Sequence, residues 1–144
     1  MKPLHIIVAE DNDDHAEMII EASQDYNPHN KLVRFCNGDL LISHLQSLKQ
    51  QNIAKPLFPD LILLDIKMPL IDGLEALRII KADPAIKHIP IMMVSTSENT
   101  LDIEQSYKDG ANSYIVKPFD YTDFAKKICD VNRFWADVSE LPKI

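Results

Sequence analysis

Basic clusters are missing from this chain. Its 15 lysines and arginines stand singly or in pairs, as at Lys126 and Lys127, and the net charge is −7. A nucleic-acid binder needs a basic patch to displace counterions from phosphate, so direct nucleic-acid binding is not expected. Cysteine is scarce as well. Cys36 and Cys129 are the only two, and no C-x-x-C occurs, which argues against a zinc site and leaves two reduced core thiols as the expectation. No apolar run approaches the roughly 20 residues that span a bilayer, so no membrane segment is expected. The opening MKPLHIIVAED turns acidic too soon for a signal peptide, which points to the cytoplasm. Internal repeats and low-complexity segments are absent too.

What is there suits one globular domain. A chain of 144 residues with 46% hydrophobic content can bury a full core without disulfide or metal staples. The expected domain is 1–144, with a core over about 4–136 and a short tail, 137–144. The acidity favours a soluble protein that meets other proteins.

The element pattern is read from apolar runs. DLILLDIKMP at 60–69 holds four consecutive apolar residues bounded by Asp and Pro, the mark of a buried parallel strand. LHIIVA at 4–9, KLVRF at 31–35, IMMV at 91–94 and NSYIV at 112–116 supply four more. Helices alternate with them. The first is capped by Asn12 or Asp13, packs Ala16, Ile19, Ile20 and Ser23, and ends at Tyr26-Asn27-Pro28. The second follows the Asn37-Gly38 turn with Leu41, Leu45 and Leu48, and QQNIAKPLFP at 50–59 reads as a loop. The third starts at Gly73 with Leu74, Leu77 and Ile80 inward. The fourth, about 99–109, places Ile103 and Tyr107 on one side and is closed by Gly110. The last carries Phe124, Ile128, Val131 and Trp135. Five strand–helix units argue for an α/β fold: a doubly wound, five-stranded parallel sheet with helices on both faces. The flavodoxin-like order 2-1-3-4-5 is the commonest choice.

Parallel strands end on one edge, so the polar residues just past them converge. The first strand delivers Glu10 and Asp11, the third Asp65, the fourth Ser95 and Thr96, and the fifth Lys117. Three carboxylates side by side repel one another unless something offsets their charge. A hard divalent cation does so, and Mg²⁺ takes such oxygen ligands, with Lys117 adding a further positive charge. A phosphoryl group on Asp65 would give every piece a role, with Asp65 as nucleophile and Lys117 and Ser95 on the phosphoryl oxygens. DNDD at 11–14 is not an EF-hand loop, because its sixth-position Gly and terminal Glu are missing.

This set of motifs resembles the receiver domains of bacterial two-component response regulators. The matching pieces are Glu10-Asp11, Asp65 with Met68-Pro69 and Asp72-Gly73, Ser95, and Lys117-Pro118-Phe119, across roughly residues 4–136. The resemblance implies that Asp65 accepts a phosphoryl group from a sensor histidine kinase. It implies Mg²⁺, or Mn²⁺ in its place, held by Asp11, Asp65 and the backbone carbonyl of Lys67, with Glu10 acting through a metal-bound water. Ser95 is then the switch hydroxyl, Tyr114 the aromatic that turns inward, and Lys117 the phosphate-binding lysine, with a cis bond to Pro118. Glu10 stands where many members have Asp, and Ser95 where Thr is frequent. The Lys67 side chain has two places open to it, over the phosphoryl group or out in solvent, the second being favoured.

The loop at 50–59, Ser95-Thr96-Ser97 and the FWADVSELP end are similar to cyanobacterial phytochrome-associated single-domain regulators. That narrower likeness implies a phytochrome-type or hybrid kinase as donor and a downstream protein as target. It also implies a homodimer, through the face of helix 4, strand 5 and helix 5 or through the tail. Trp135 is expected to cover the chain's own core and Phe134 to face a partner.

Two other classes compete. A haloacid-dehalogenase-type phosphotransferase needs a second Asp two residues past its nucleophile, where Lys67 stands. A flavin carrier needs a phosphate loop after the first strand, where EDNDD would repel the FMN phosphate. The expected protein is therefore no enzyme toward other substrates; its chemistry is self-phosphorylation and autodephosphorylation.

Overall fold

The fold is that of a computed structural model, described for residues 2–51 and 58–142. Most of the loop expected at 50–59 lies outside these residues, as do the last two of the tail. Five strands run β1 (His5–Ala9), β2 (Lys31–Phe35), β3 (Leu61–Leu64), β4 (Ile91–Ser95) and β5 (Ser113–Val116). They alternate with α1 (Asp13–Tyr26), α2 (Gly38–Gln50), α3 (Gly73–Lys81), α4 (Thr100–Lys108) and α5 (Tyr121–Arg133). The sheet is parallel throughout, in the order β2-β1-β3-β4-β5, as expected.

Side chains alternate across the sheet with period two, and each face builds its own core. Ile7, Ile62, Leu64 and Met93 pack with Leu41 and Leu45 of α2 and Leu77 and Ile80 of α3. Ile6, Val8, Leu63 and Val94 pack with Ile19 of α1 and Phe124 and Ile128 of α5. The continuous apolar runs of β3 and β4 are thus explained: both faces are covered, so every residue of these two strands is buried. The edge strand β5 is only partly buried.

Caps set the helix starts. Asn12 accepts from the His15 amide, Asn37 from Leu40, Asp72 from Glu75, and Asn99 from Leu101. At the far end of α4, Gly110 adopts φ 106°, the left-handed cap expected of it. A buried polar network ties α1 to α5. Asn30 donates to the Ser23 carbonyl (2.8 Å) and to Asn132 Oδ1 (3.0 Å), and accepts from the Leu4 amide (2.8 Å). Asn132 in turn donates to Ser23 Oγ and to the Ile128 carbonyl. Every member has partners, which is what makes burial of such groups tolerable.

Three expectations are corrected. Tyr107 is exposed and Ser106 is the buried residue of α4, because its hydroxyl bonds back to the Asp102 carbonyl and needs no water. Cys36 is exposed rather than in the core, since it lies just past the end of β2. The last helix does not continue in register through Trp135; a π-helical turn follows at Phe134–Val138. That turn still buries Trp135, whose Nε1 donates to Met92 Sδ, and leaves Phe134 47% exposed. Tyr26 of α1 bonds Asp137 in the same turn, and Leu141 of the tail is buried in the core on the α1 and α5 face of the sheet.

Leu70, between β3 and α3, has φ 66° and is 74% exposed. A branched side chain in the left-handed region costs about 1–2 kcal/mol, while Asn tolerates it. Leu70→Asn is expected to stabilise the fold by about 1 kcal/mol. The urea midpoint would rise, and a midpoint that stays or falls would contradict this.

Candidate functional site

The sheet delivers four charged groups to its C-terminal edge. Glu10 follows β1 directly and is buried, its amide donating to the Phe35 carbonyl at 3.0 Å. Asp65 follows β3, and its amide continues the ladder to the Ala9 carbonyl at 3.0 Å. Lys117 follows β5, its amide bonded to the Ser95 carbonyl at 2.8 Å. Asp11, next after Glu10, is exposed at the rim. The order of strands, with β1 between β2 and β3, makes Glu10, Asp11 and Asp65 neighbours. One carboxylate oxygen from each lies within 4.8 Å of the others.

Lys117 reaches into this group. Its Nζ donates to Asp65 Oδ2 at 3.1 Å and to Glu10 Oε1, and it stands 3.0 Å from His15 Nδ1. The other Asp65 oxygen accepts from the Ile66 amide at 2.7 Å, and the other Glu10 oxygen from the Asn12 amide at 3.2 Å. Burial and the neighbouring Asp65 carboxylate push the Glu10 carboxyl up to about 8, against the pull of Lys117. The His15 ring is pushed down, first by burial and then by Lys117.

Ser95 and Tyr114 meet at one residue. The buried Ser95 Oγ accepts from the Ser97 amide at 3.1 Å, and Tyr114 O–H donates to the Ser97 carbonyl at 2.9 Å. The Ser95 hydroxyl thus serves the turn into α4, which Asn99 caps. Tyr114 is already partly buried against the core beneath α2 and α3. Thr96 is exposed, and so is Lys67, in keeping with a side chain in solvent. The Lys117–Pro118 bond is trans, which corrects the expected cis form. Trans is the lower form of such an amide by about 0.5–1 kcal/mol, and Lys117 reaches both carboxylates with it.

Two site residues escape a motif reading. Arg34 of β2 donates through Nε and Nη2 to the Glu10 carbonyl (3.1 and 3.0 Å) and through Nη1 to Asp13 (2.7 Å), clamping the acidic turn. An arginine inside the apolar stretch of the second strand was the available signal. His15 had a signal too. With Met18, Ile19 and Ala22 it completes an i, i+3, i+4, i+7 stripe, so its ring turns inward toward Lys117.

The donor set fits a hard divalent ion. All candidate ligands are oxygens, and three carboxylates face one Lys117 ammonium, so the carboxylates outnumber the cation.

Comparison with known proteins agrees with this geometry. The family described as response regulator receiver domain matches residues 6–129. The chain belongs to that family. Receiver Rcp1 of Synechocystis sp. is 30% identical over 140 residues, which cover 97% of this chain and 94% of that protein. The structure of phosphorylated RcpA, a cyanobacterial phytochrome response regulator, superposes with TM-score 0.89 at 33% identity, covering 98% of this receiver and 99% of that chain. The Mn²⁺-bound form of Rcp1 gives TM-score 0.87 at 30% identity, over 98% of this receiver and 100% of that chain. A flavodoxin-like receiver of two-component signalling is thus established, and the phytochrome-associated regulators are among its near relatives. Among the described residues no helix is long and apolar enough to cross a membrane.

Proposed function

We propose that this receiver is a phosphorylation switch in which Asp65 takes a phosphoryl group from a sensor histidine kinase. One observation carries the reading: the buried Lys117 ammonium stands 3.1 Å from Asp65 Oδ2, beside two more carboxylates. In the transfer, an Asp65 oxygen forms a bond to phosphorus as the bond to the donor's imidazole nitrogen breaks. Lys117 moves from Asp65 to a phosphoryl oxygen and holds the charge there. Asp11, Asp65 and the Lys67 carbonyl would hold Mg²⁺ or Mn²⁺ directly, and Glu10 through a water. The bound ion supplies charge neutralisation at the phosphoryl oxygens. Release of Ser97 by Ser95 and Tyr114 would then free the turn into α4, a population shift toward the signalling form.

The chain acts as one receiver domain over 1–144, in the cytoplasm, with no turnover of other substrates. A phytochrome-type kinase fits as donor, given the relatives, and a downstream protein as target. For self-association, the face of α4, β5 and α5 is better placed than the tail. It exposes Leu101 and Tyr107, with Phe134 just past the end of α5, whereas the tail buries Leu141 and exposes only Val138 among its described large apolar side chains.

Incubation with acetyl phosphate and Mg²⁺, followed by peptide mass mapping, tests the reading. One phosphoryl group is expected on the peptide holding Asp65. Labelling at another residue, or none, would contradict it.

A further inference from the structure

The Lys117 ammonium has three N–H groups and no acceptor capacity, and it is buried. Buried donors are rarely left unpaired. Glu10 takes one, Asp65 another, and His15 Nδ1 lies 3.0 Å from the same nitrogen. An ammonium can only donate, so Nδ1 must be the lone-pair nitrogen of the ring. The ring is itself held in place, edge-on to Phe124 with centroids 6.1 Å apart and planes at 72°.

We infer that His15 is a positioning residue for phosphoryl transfer, the third acceptor that fixes the direction of the Lys117 ammonium toward Asp65. This rests on the phosphoacceptor reading above. Two of the three N–H groups, those on Glu10 and His15, need not move when Asp65 is modified. The third passes from the Asp65 oxygen to a phosphoryl oxygen. The head group is therefore oriented before the reaction and stays oriented through it, which is how preorganised donors lower a barrier. A neutral imidazole suits the task. A carboxylate at this position would add a fourth negative charge and draw the ammonium away from the phosphoryl group. His15 also lines an open cavity of 320 Å³ with Lys117, Thr96, Pro118 and Tyr121, so the contact lies on the accessible side of the site.

The test compares His15→Leu, which keeps apolar bulk against Phe124, with His15→Asn, which restores an acceptor near the place of Nδ1. With acetyl phosphate and saturating Mg²⁺, His15→Leu is expected to be phosphorylated about tenfold more slowly, and His15→Asn within about twofold of the native rate. Mg²⁺ affinity by calorimetry should be unchanged in both. A native rate in His15→Leu would overturn the inference, and so would a His15→Asn as slow as His15→Leu. If the native chain itself takes no label, the phosphoacceptor reading has failed and not this contact. Nitrogen NMR of the native ring then decides the contact without any His15 variant. Nδ1 is expected unprotonated, with a signal that moves in Lys117→Met; a proton on Nδ1 would overturn it.

Discussion

Asp65→Asn is expected to abolish labelling by acetyl phosphate and to leave the fold standing. The amide cannot act as the nucleophile, yet it keeps the shape of the carboxylate, and its one oxygen can still accept from the Ile66 amide while the NH2 group takes the place of the oxygen facing Lys117. The variant should also change how stability follows pH. In the metal-free chain, burial and Asp65 raise the Glu10 carboxyl from 4.5 to about 8, so the folded state holds a proton that the unfolded chain has lost. Stability from that proton is fully present below 4.5 and lost as pH rises through about 8. His5, His15, His44 and His88 act in the opposite direction. Burial lowers each below 6.5, so their contribution is present above 6.5 and lost on acidification. Between about pH 7.5 and 8.5 the histidines are largely neutral in both states, and the Lys81 ammonium, which burial lowers, acts equally in both chains, so the difference between the native chain and Asp65→Asn there belongs to Glu10. With a chelator present, the native melting temperature should fall across that interval. In Asp65→Asn one of the two causes of the Glu10 shift is gone, and the fall should be smaller. Circular dichroism melts at both ends of the interval check this; equal slopes would contradict the charge coupling.

Gly73→Ala is expected to destabilise by about 3 kcal/mol or more, at the upper end of overpacking effects. Gly73 opens α3, and its amide bonds the Ile66 carbonyl at 2.8 Å. A Cβ there would lie 1.9 Å from the Asp65 carbonyl oxygen and 2.7 Å from Ile66 Cα. These are backbone atoms, so no rotamer change relieves the clash; either α3 or the end of β3 must move. Moving the end of β3 moves Asp65, so phosphorylation should slow as well. For a chain of this size the loss corresponds to roughly 10 °C in melting temperature. Urea unfolding with loss below about 1 kcal/mol would show that the loop gives way easily, contrary to this packing.

The strands were legible because the same residues carry local and global information, while their order came with the family resemblance. Leu61–Leu64 can be apolar at every position only if both faces of the strand are covered, and that calls for a parallel sheet under two helical layers. Glu10, Asp65 and Lys117 were legible because parallel strands bring their ends together whatever lies between. Tyr107 was misplaced because α4 is weakly patterned and a serine hydroxyl can bury itself on its own helix. The Trp135 stripe was right about burial and wrong about the backbone. A π-helical turn adds residues per turn without removing an apolar side chain from the core.

By itself, the sequence determined the sheet, its two-sided core and the gathering of acids around one lysine, since each follows from periodicity and from where strands end. Only the tertiary structure decided which atoms hold which. It set His15 on Lys117, Arg34 over the acidic turn, Ser95 on the Ser97 amide and Tyr114 on the Ser97 carbonyl. Most of those pairs join distant parts of the chain, and their partners are selected by ångström-scale packing that no spacing rule contains.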